Sequence, residues 1–289
     1  MTDYLDKARI LSEALPFIQR YHGKTMVIKY GGGAMQTDEM CRSVMNDIVL
    51  LSLVGIRVVV VHGGGPEINE MLARVGKEPR FVDGLRYTDA ETMDIVQMVL
   101  AGRVSKHLVQ IINEQGGKAI SFSGMDGQLL KARKFVGKNG ADLGFVGEIT
   151  SVNMEPIGLA ISGGYIPVVS SVACGEEPGV AYNINADTAA AHLAAGLNAE
   201  KLILMTDVRG VMKDHKDEST LISVLSLSET GQLYKDGIIA GGMIPKVDCC
   251  VQAVKSGVDK AHILDGRVPH SLLIEILSDQ GIGTMVVRD

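Results

Sequence analysis

At 289 residues, with 46% hydrophobic and 21% charged residues, the chain has the balance of an ordinary soluble globular protein, long enough to bury the core of one large domain or two lobes. Its 28 Lys and Arg against 34 Asp and Glu give a formal net charge of -6 with no basic block, which argues against a nucleic-acid partner. No apolar run approaches the roughly 18 residues of a membrane span, because Arg57 interrupts the longest candidate, and the acidic opening residues carry no signal-peptide core.

Residues 3–21 place Leu5, Ala8, Leu11, Leu15 and Ile18 at helical spacing, with Pro16 inside. Its missing N–H and its ring predict a bend or break near residues 14–15. This apolar face lies outside the main repeat and needs a partner, either another subunit or the body of the same chain. Residues 26–30 are a β-branched apolar run suited to a strand buried on both faces. Gly31, Gly32 and Gly33 turn it, through Ala34 and Met35, into a helix over 36–53 with Thr37 and Asp38 as candidate caps and Gly55 past its end. The pattern repeats at once: residues 57–61 run as a buried strand into His62-Gly63-Gly64-Gly65, and Pro66 opens a helix over 66–75.

Residues 79–88 form a turn-rich excursion around Asp83-Gly84, and Thr88 caps a long helix over 90–115 with Met93, Val96, Val99 and Leu100 on its apolar side. Residues 118–122 return to strand, and 129–136 with 144–152, separated by Gly137-Lys138-Asn139-Gly140, read as an antiparallel hairpin. A helix over 154–161, a buried strand over 166–170 and a loop over 174–179 follow. Tyr182 to Asp187 leads into an alanine-rich helix over 188–195, closed by Gly196. Residues 201–207 are a buried strand with a polar end, and residues 211–221 are charged and exposed. Helices over 227–235, 245–256 and 269–277 and strands over 261–264 and 284–288 complete the alternation. Such alternation predicts α/β architecture, one mostly parallel sheet with helices on both faces.

Strand, glycine turn and helix N-terminus together make an anion site, because backbone N–H groups converge there and the helix dipole adds partial positive charge; Lys29 adds a full one. Taken alone, such a run reads equally well as a tight turn beside a strand lysine. Its recurrence at 62–66 puts two turns on the carboxyl edge of one sheet, where open α/β sheets bind ligands. Neither turn fits the spaced-glycine dinucleotide pattern or the Walker pattern. In Gly241-Gly242-Met243-Ile244-Pro245-Lys246 a cation stands in the first turn of a helix, which is unfavourable unless an anion sits there too. Cys41, Cys174, Cys249 and Cys250 form no C-x-x-C pair, and no zinc-protease motif occurs among the histidines, so a reduced, cytoplasmic protein with no protein-held metal is expected.

Lys29 with its glycine run, residues 62–66, Asn183-Ile184-Asn185-Ala186-Asp187, Thr206-Asp207-Val208-Arg209-Gly210-Val211 and residues 241–246 together resemble the amino acid kinase family, in order, from about residue 25 to the end. The resemblance is closest to its members that phosphorylate N-acetyl-L-glutamate on the side-chain carboxylate, in arginine biosynthesis. It implies an αβα sandwich with an open central sheet in two lobes: an amino-acid lobe over 22–182 and an ATP lobe over 183–289, after a helix over 1–21 used for oligomerisation and regulation. By motif, Lys29 and Lys246 stabilise the transferring phosphoryl group and Asp187 holds both lysines. Gly32, Gly64 and Gly65 offer N–H groups to carboxylate and phosphoryl oxygens, Arg86 grips the α-carboxylate, and Asn183 fixes the acetylated end. Thr206, Asp207, Val208, Arg209, Gly210, Val211, Met212, Ile238, Ile239 and Ala240 match the nucleotide loops, with Mg2+ carried mainly by the ATP phosphates. Phosphoryl transfer needs mostly positioning and charge neutralisation, and a carboxylate nucleophile needs no general base, so two lysines with an organising aspartate suit it.

The N-terminal helix and the residues near 270–283 resemble arginine-inhibited members, in which such helices join dimers into a hexameric ring. On that resemblance Tyr21, Lys201, His270, Glu275 and Gly283 are candidate L-arginine contacts. Two other readings stand beside this one: a family kinase acting on a different carboxylate or carbamate, and a catalytically idle amino-acid sensor.

Overall fold

The structure, a computed structural model, describes residues 2–32, 37–137 and 140–289. Gly33, Ala34, Met35 and Gln36 of the expected first turn and helix start, and Lys138 and Asn139 of the expected hairpin turn, lie outside the described residues.

Helix α1 (Thr2–Tyr21) continues through Pro16 without the expected break. A proline forfeits its own N–H bond, and the turns on either side carry the helix past it. Strand β1 (Thr25–Tyr30) leads to α2 (Asp38–Leu53), capped by the Thr37 hydroxyl, which accepts from the Met40 N–H at 3.2 Å. Strand β2 (Arg57–His62) leads to α3 (Gly65–Arg74) with Pro66 in its first turn. The excursion at 79–88 holds a small hairpin of β3 (Phe81–Val82) and β4 (Leu85–Arg86), closed by Asp83 and Gly84 at φ 49° and 79°. Two successive positive φ values are what a two-residue primed turn demands.

The expected single helix over 90–115 is three pieces: α4 (Ala90–Gln97), a π-helical stretch (Met98–Val104) and α5 (Ser105–Glu114). Its cap is Asp89 rather than Thr88. Asp89 Oδ1 accepts from the Thr92 N–H at 2.9 Å, whereas the Thr88 hydroxyl is spent on the Arg86 carbonyl, also at 2.9 Å. By length and a mean hydropathy of 1.2, Ala90–Glu114 is apolar enough to cross a membrane, which the sequence reading did not expect; half of its most apolar window is buried in the protein. Met93, Val96, Leu100, Leu108 and Ile112 belong to the core, so it is a core helix.

Strand β5 (Ala119–Gly124) is followed by the antiparallel hairpin of β6 (Leu130–Val136) and β7 (Asp142–Val152). After α6 (Glu155–Ser162), β8 (Ile166–Gly175) runs on into residues expected as loop, because a short unanticipated strand, β9 (Ala181–Asn183), folds back on it. Next come α7 (Ala186–Gly196), β10 (Lys201–Thr206) and another unanticipated strand, β11 (Val224–Ser226). Helices α8 (Leu227–Lys235) and α9 (Met243–Lys255), β12 (Lys260–Asp265), α10 (Ser271–Leu277) and β13 (Thr284–Val287) close the chain. Val211 is buried rather than exposed, its N–H donating to Thr284 Oγ1 at 2.8 Å.

Among the described residues one sheet of eleven strands runs in the order β11-β13-β12-β10-β1-β2-β8-β6-β7-β9, with β5 also paired to β8. Pairing is parallel through β12, β10, β1, β2, β8 and β5, and antiparallel at β6–β7, β8–β9 and β12–β13. In β2, Val58 and Val60 pack into the core shared with α2 and α5, while Val59 and Val61 pack into the opposite core shared with α7 and α9. Burial on both faces is why these strands read as unbroken apolar runs, where a half-exposed strand would alternate. Each fully buried valine contributes at most about 1.5–3 kcal/mol. The register sets Lys29 beside Val61 and Leu204, so β1, β2 and β10 end together at one edge.

Candidate active site

The candidate site is built from the carboxyl ends of these strands and the first turns of the helices after them. Lys29 is the penultimate residue of β1. Helix α7 is capped by Asn185, whose Oδ1 accepts from the N–H groups of Asp187 and Thr188 at 2.9 and 3.1 Å. The cap fixes Asp187 in the first turn, where the helix dipole favours a carboxylate. Lys246 stands in the first turn of α9. Asp187 lies between the two lysines, with Lys29 Nζ 2.9 Å from Oδ1 and Lys246 Nζ 3.5 Å from Oδ2. The shorter contact is an ion pair by distance without hydrogen-bond alignment, so among the described residues buried Oδ1 has no hydrogen-bond partner although it faces a cation. Burial pushes the Asp187 carboxyl up, but Lys29 and then Lys246 outweigh it and hold it below the ordinary carboxylate range. Two ammonium groups around one carboxylate leave a local excess of positive charge, which suits an incoming anion.

Two cavities adjoin this triad. The larger, about 490 Å³, is lined by Asp207, Val208, Gly210, Val211 and Met212 from the loop after β10, by Ile238 and Ala240, and by Lys246 itself. The smaller, about 180 Å³, is lined by Gly63, Gly64, Gly65, Arg86, Asn183 and Ala186, the residue before Asp187. Arg86 is only 8% exposed; its Nη2 donates to the Gly65 carbonyl at 3.2 Å, and its guanidinium lies 4.9 Å from the Phe81 ring centroid. Burial lowers its pKa, and its buried Nη1 has no hydrogen-bond partner among the described residues. An unpaired buried guanidinium nitrogen beside a cavity is costly unless an anionic ligand completes it. Asn183 Nδ2 donates to Thr88 Oγ1 at 3.2 Å.

Several expected residues stand elsewhere. Thr206 is buried at the end of β10 with its hydroxyl on Asp207 Oδ1 at 3.2 Å, Arg209 is paired with Glu218, and Ile239 belongs to the hydrophobic core. They neighbour lining residues in sequence and line neither cavity. Gly32 is exposed and also lines neither. Conversely Lys213, His215, Gly241, Gly242 and Met243 line the larger cavity. The motif at 241–246 pointed to Lys246 alone, and no local pattern set His215 apart.

Tyr21, Lys201 and Glu275 converge away from this edge, near the start of β10. Lys201 Nζ lies 5.2 Å from the Tyr21 ring centroid and 3.2 Å from His262 Nε2, and His262 Nδ1 lies 2.8 Å from Glu275 Oε1. Burial pulls the Lys201 ammonium down to about 8. His262 is the link between Lys201 and Glu275; inside an apolar strand run nothing in the sequence marked it. His270 instead bonds Asp47 at 2.7 Å, and Gly283 packs on the Ile263 carbonyl.

The model of the amino acid kinase family matches residues 24–265. The chain belongs to the amino acid kinase family. Among curated relatives it is 58% identical over 286 residues to an acetylglutamate kinase of Clostridium beijerinckii, covering 99% of this chain and 100% of that one. It is 57% identical over 281 residues to an acetylglutamate kinase of Synechocystis, covering 97% and 93%. Among solved structures, N-acetylglutamate synthase from Neisseria gonorrhoeae, complexed with coenzyme A and N-acetyl-glutamate, superposes at a TM-score of 0.85 and 27% identity. That match covers 98% of this chain, which spans 63% of the synthase.

Proposed function

We propose that the chain phosphorylates the side-chain carboxylate of N-acetyl-L-glutamate with ATP, giving N-acetyl-L-glutamyl 5-phosphate, in the arginine biosynthesis of a cytoplasm. The observation that carries this reading is the buried carboxylate held between two lysines where two cavities adjoin, and the names of relatives above 55% identity support it. ATP occupies the larger cavity, and the smaller takes the amino acid, with Arg86 on its α-carboxylate and Asn183 at its acetylated end. The acceptor carboxylate, with an ordinary pKa near about 4, is already ionised at neutral pH. Lys29 and Lys246 neutralise charge on the transferring group, Gly64 and Gly65 offer N–H groups, and Asp187 organises the lysines. Mg2+ travels with the nucleotide phosphates: Asp187 is already held by two lysines, and among the described residues no three His, Cys, Asp or Glu side chains gather as a metal site. In this reading residues 22–182 form the amino-acid lobe and 183–289 the nucleotide lobe of the continuous sheet.

The test is coupled ADP release with ATP and N-acetyl-L-glutamate, with the acyl phosphate trapped by hydroxylamine. Turnover only with carbamate or another carboxylate selects a different family kinase. Tight binding without turnover selects an idle sensor.

Regulation completes the proposal. Leu5, Ile10, Leu11 and Leu15 of α1 are between 51% and 74% exposed, while Phe17 and Tyr21 at its end dock on the body. Such a face suits a hexamer built from dimers through α1. L-Arginine binds beside Tyr21, where Glu275 meets the guanidinium and Lys201 the carboxylate, with His270 and Gly283 bordering. It raises the apparent KM for N-acetyl-L-glutamate by favouring an open arrangement of the lobes.

A further inference from the structure

His62 is the fully buried last residue of β2, immediately before the glycine turn. Its Nδ1 lies 2.8 Å from the Gly63 carbonyl oxygen and its Nε2 lies 2.7 Å from Ser105 Oγ. A carbonyl oxygen only accepts, so Nδ1 carries the hydrogen. Nε2 is then bare and accepts the Ser105 hydroxyl proton. Of the two neutral tautomers only Nδ1–H satisfies both contacts, and the imidazolium, which would donate to the Ser105 hydroxyl oxygen instead, is the form that burial disfavours. Burial pushes the imidazole down to about 4, so this state holds throughout the neutral range.

The Gly63 carbonyl and the Gly64 N–H belong to one trans peptide, in which the two groups point in opposite directions. Anchoring the carbonyl on His62 therefore turns the Gly64 N–H the other way. Among the described residues that N–H has no hydrogen-bond partner, and Gly64 lines the smaller cavity. A second restraint comes from the π-helical stretch. A Cβ on Gly64 would lie 2.6 Å from Leu100 Cδ2 and 3.2 Å from Val104 Cγ2, both in the segment that ends where Ser105 begins. Thus one irregular stretch of helix supplies both the wall against Gly64 and the hydroxyl that orients His62; π-helical turns recur at functional sites.

We infer that His62, held by Ser105, is a positioning residue that aims the Gly63–Gly64 peptide so that the Gly64 N–H faces the oxygens of the reacting carboxylate and phosphoryl group. The inference rests on the kinase reading above and adds the residue that sets its anion-binding turn. It makes a distinction that a merely structural histidine does not. An asparagine amide nitrogen overlays Nδ1, so His62→Asn keeps the donor to Gly63 and loses the tie to Ser105. A glutamine amide overlays Nε2, so His62→Gln keeps the tie and loses the donor.

The experiment measures kcat and KM of the full chain with ATP and N-acetyl-L-glutamate, thermal stability, and long-range proton–nitrogen spectra of the imidazoles. Because removing an oxyanion donor costs roughly 10² to 10³ in rate and misaiming one costs less, His62→Gln is expected to lose about 30-fold or more in kcat and His62→Asn under about fivefold. Ser105→Ala falls between them, all with KM for ATP unchanged. His62 is expected to resonate as the neutral Nδ1–H tautomer at neutral pH. Equal losses for the asparagine and glutamine variants in proportion to lost stability, or an Nε2–H tautomer in the wild type, overturn the inference. If the wild-type chain does not turn over, the kinase reading fails, and the tautomer still decides whether His62 anchors the Gly63 carbonyl.

Discussion

Replacing Lys29 by methionine keeps an unbranched side chain one atom shorter and removes its charge. Lys29 is buried beside Asp187 at 2.9 Å and is absent from the lining of the larger cavity, whereas Lys246 belongs to that lining. A unit charge about 4 Å from a developing oxyanion, at an effective dielectric near 20, interacts by about 4 kcal/mol. Only the part that grows between ground and transition state counts toward rate, which agrees with the roughly 2.7–4 kcal/mol seen when one such donor is removed. Lys29→Met is therefore expected to lower kcat by about 10² to 10³ and to leave the Kd for ATP within about threefold. Lys246→Met should lower kcat similarly and weaken ATP binding as well. The protein should stay folded, because stranding a buried charge costs about 3–5 kcal/mol only when no countercharge remains, and Asp187 keeps Lys246 at 3.5 Å. Single-turnover phosphoryl transfer and calorimetric ATP titration on both variants, with circular dichroism to confirm folding, separate these effects. A Lys29→Met enzyme with kcat within about threefold of wild type, or a loss wholly accounted for by ATP affinity, would refute the two-lysine argument.

Arg86→Lys should raise KM for N-acetyl-L-glutamate by about 10- to 100-fold with little change in kcat, because an ammonium cannot reproduce the planar two-point grip; steady-state kinetics with an unchanged KM would remove Arg86 from the substrate. Deleting residues 2–20 should reduce a hexamer to dimers in light scattering and blunt arginine inhibition while catalysis persists; a full-length dimer indifferent to arginine would end that proposal. Asp89, held down to about 2 by Lys77 first and by its cap bonds to Thr92, has a folded pKa below its unfolded value. Its stabilising contribution is therefore complete above about pH 4 and lost as the pH falls toward 2, and Asp89→Ala should cost about 1 kcal/mol at pH 7 and much less in acid, read by urea unfolding at both pH values. Gly283→Ala should destabilise the chain by about 1–3 kcal/mol whether or not arginine binds there, since the added Cβ would lie 2.2 Å from the Ile263 carbonyl oxygen; an unchanged melting temperature contradicts this packing.

The strands at 25–30, 57–62, 201–206 and 260–265 were legible because they are buried on both faces, and an unbroken β-branched run admits few other states. Lys246 in the first turn of its helix and the glycine turn after His62 stood out in the sequence because they defy ordinary propensity unless an anion is present, and the structure places both beside cavities. Sequence therefore determined the α/β class and the amino acid kinase family. Strands β9 and β11 were not legible: each is three residues long, and its strand state comes from the strand it pairs with, the end of β8 for β9 and the distant β13 for β11, rather than from its own pattern. The π-helical stretch and the Asp89 cap were hidden for a related reason, since i, i+4 and i, i+5 bonding share nearly the same apolar spacing and two adjacent residues can both cap. Most of the site's meaning is also long-range. Only folding brings Asp187 between lysines at 29 and 246, ties Arg86 to the Gly65 carbonyl, and links Lys201 to Glu275 through His262. These are contacts between residues far apart in the chain, and periodicity along a sequence records which face of an element is buried without recording what it is buried against.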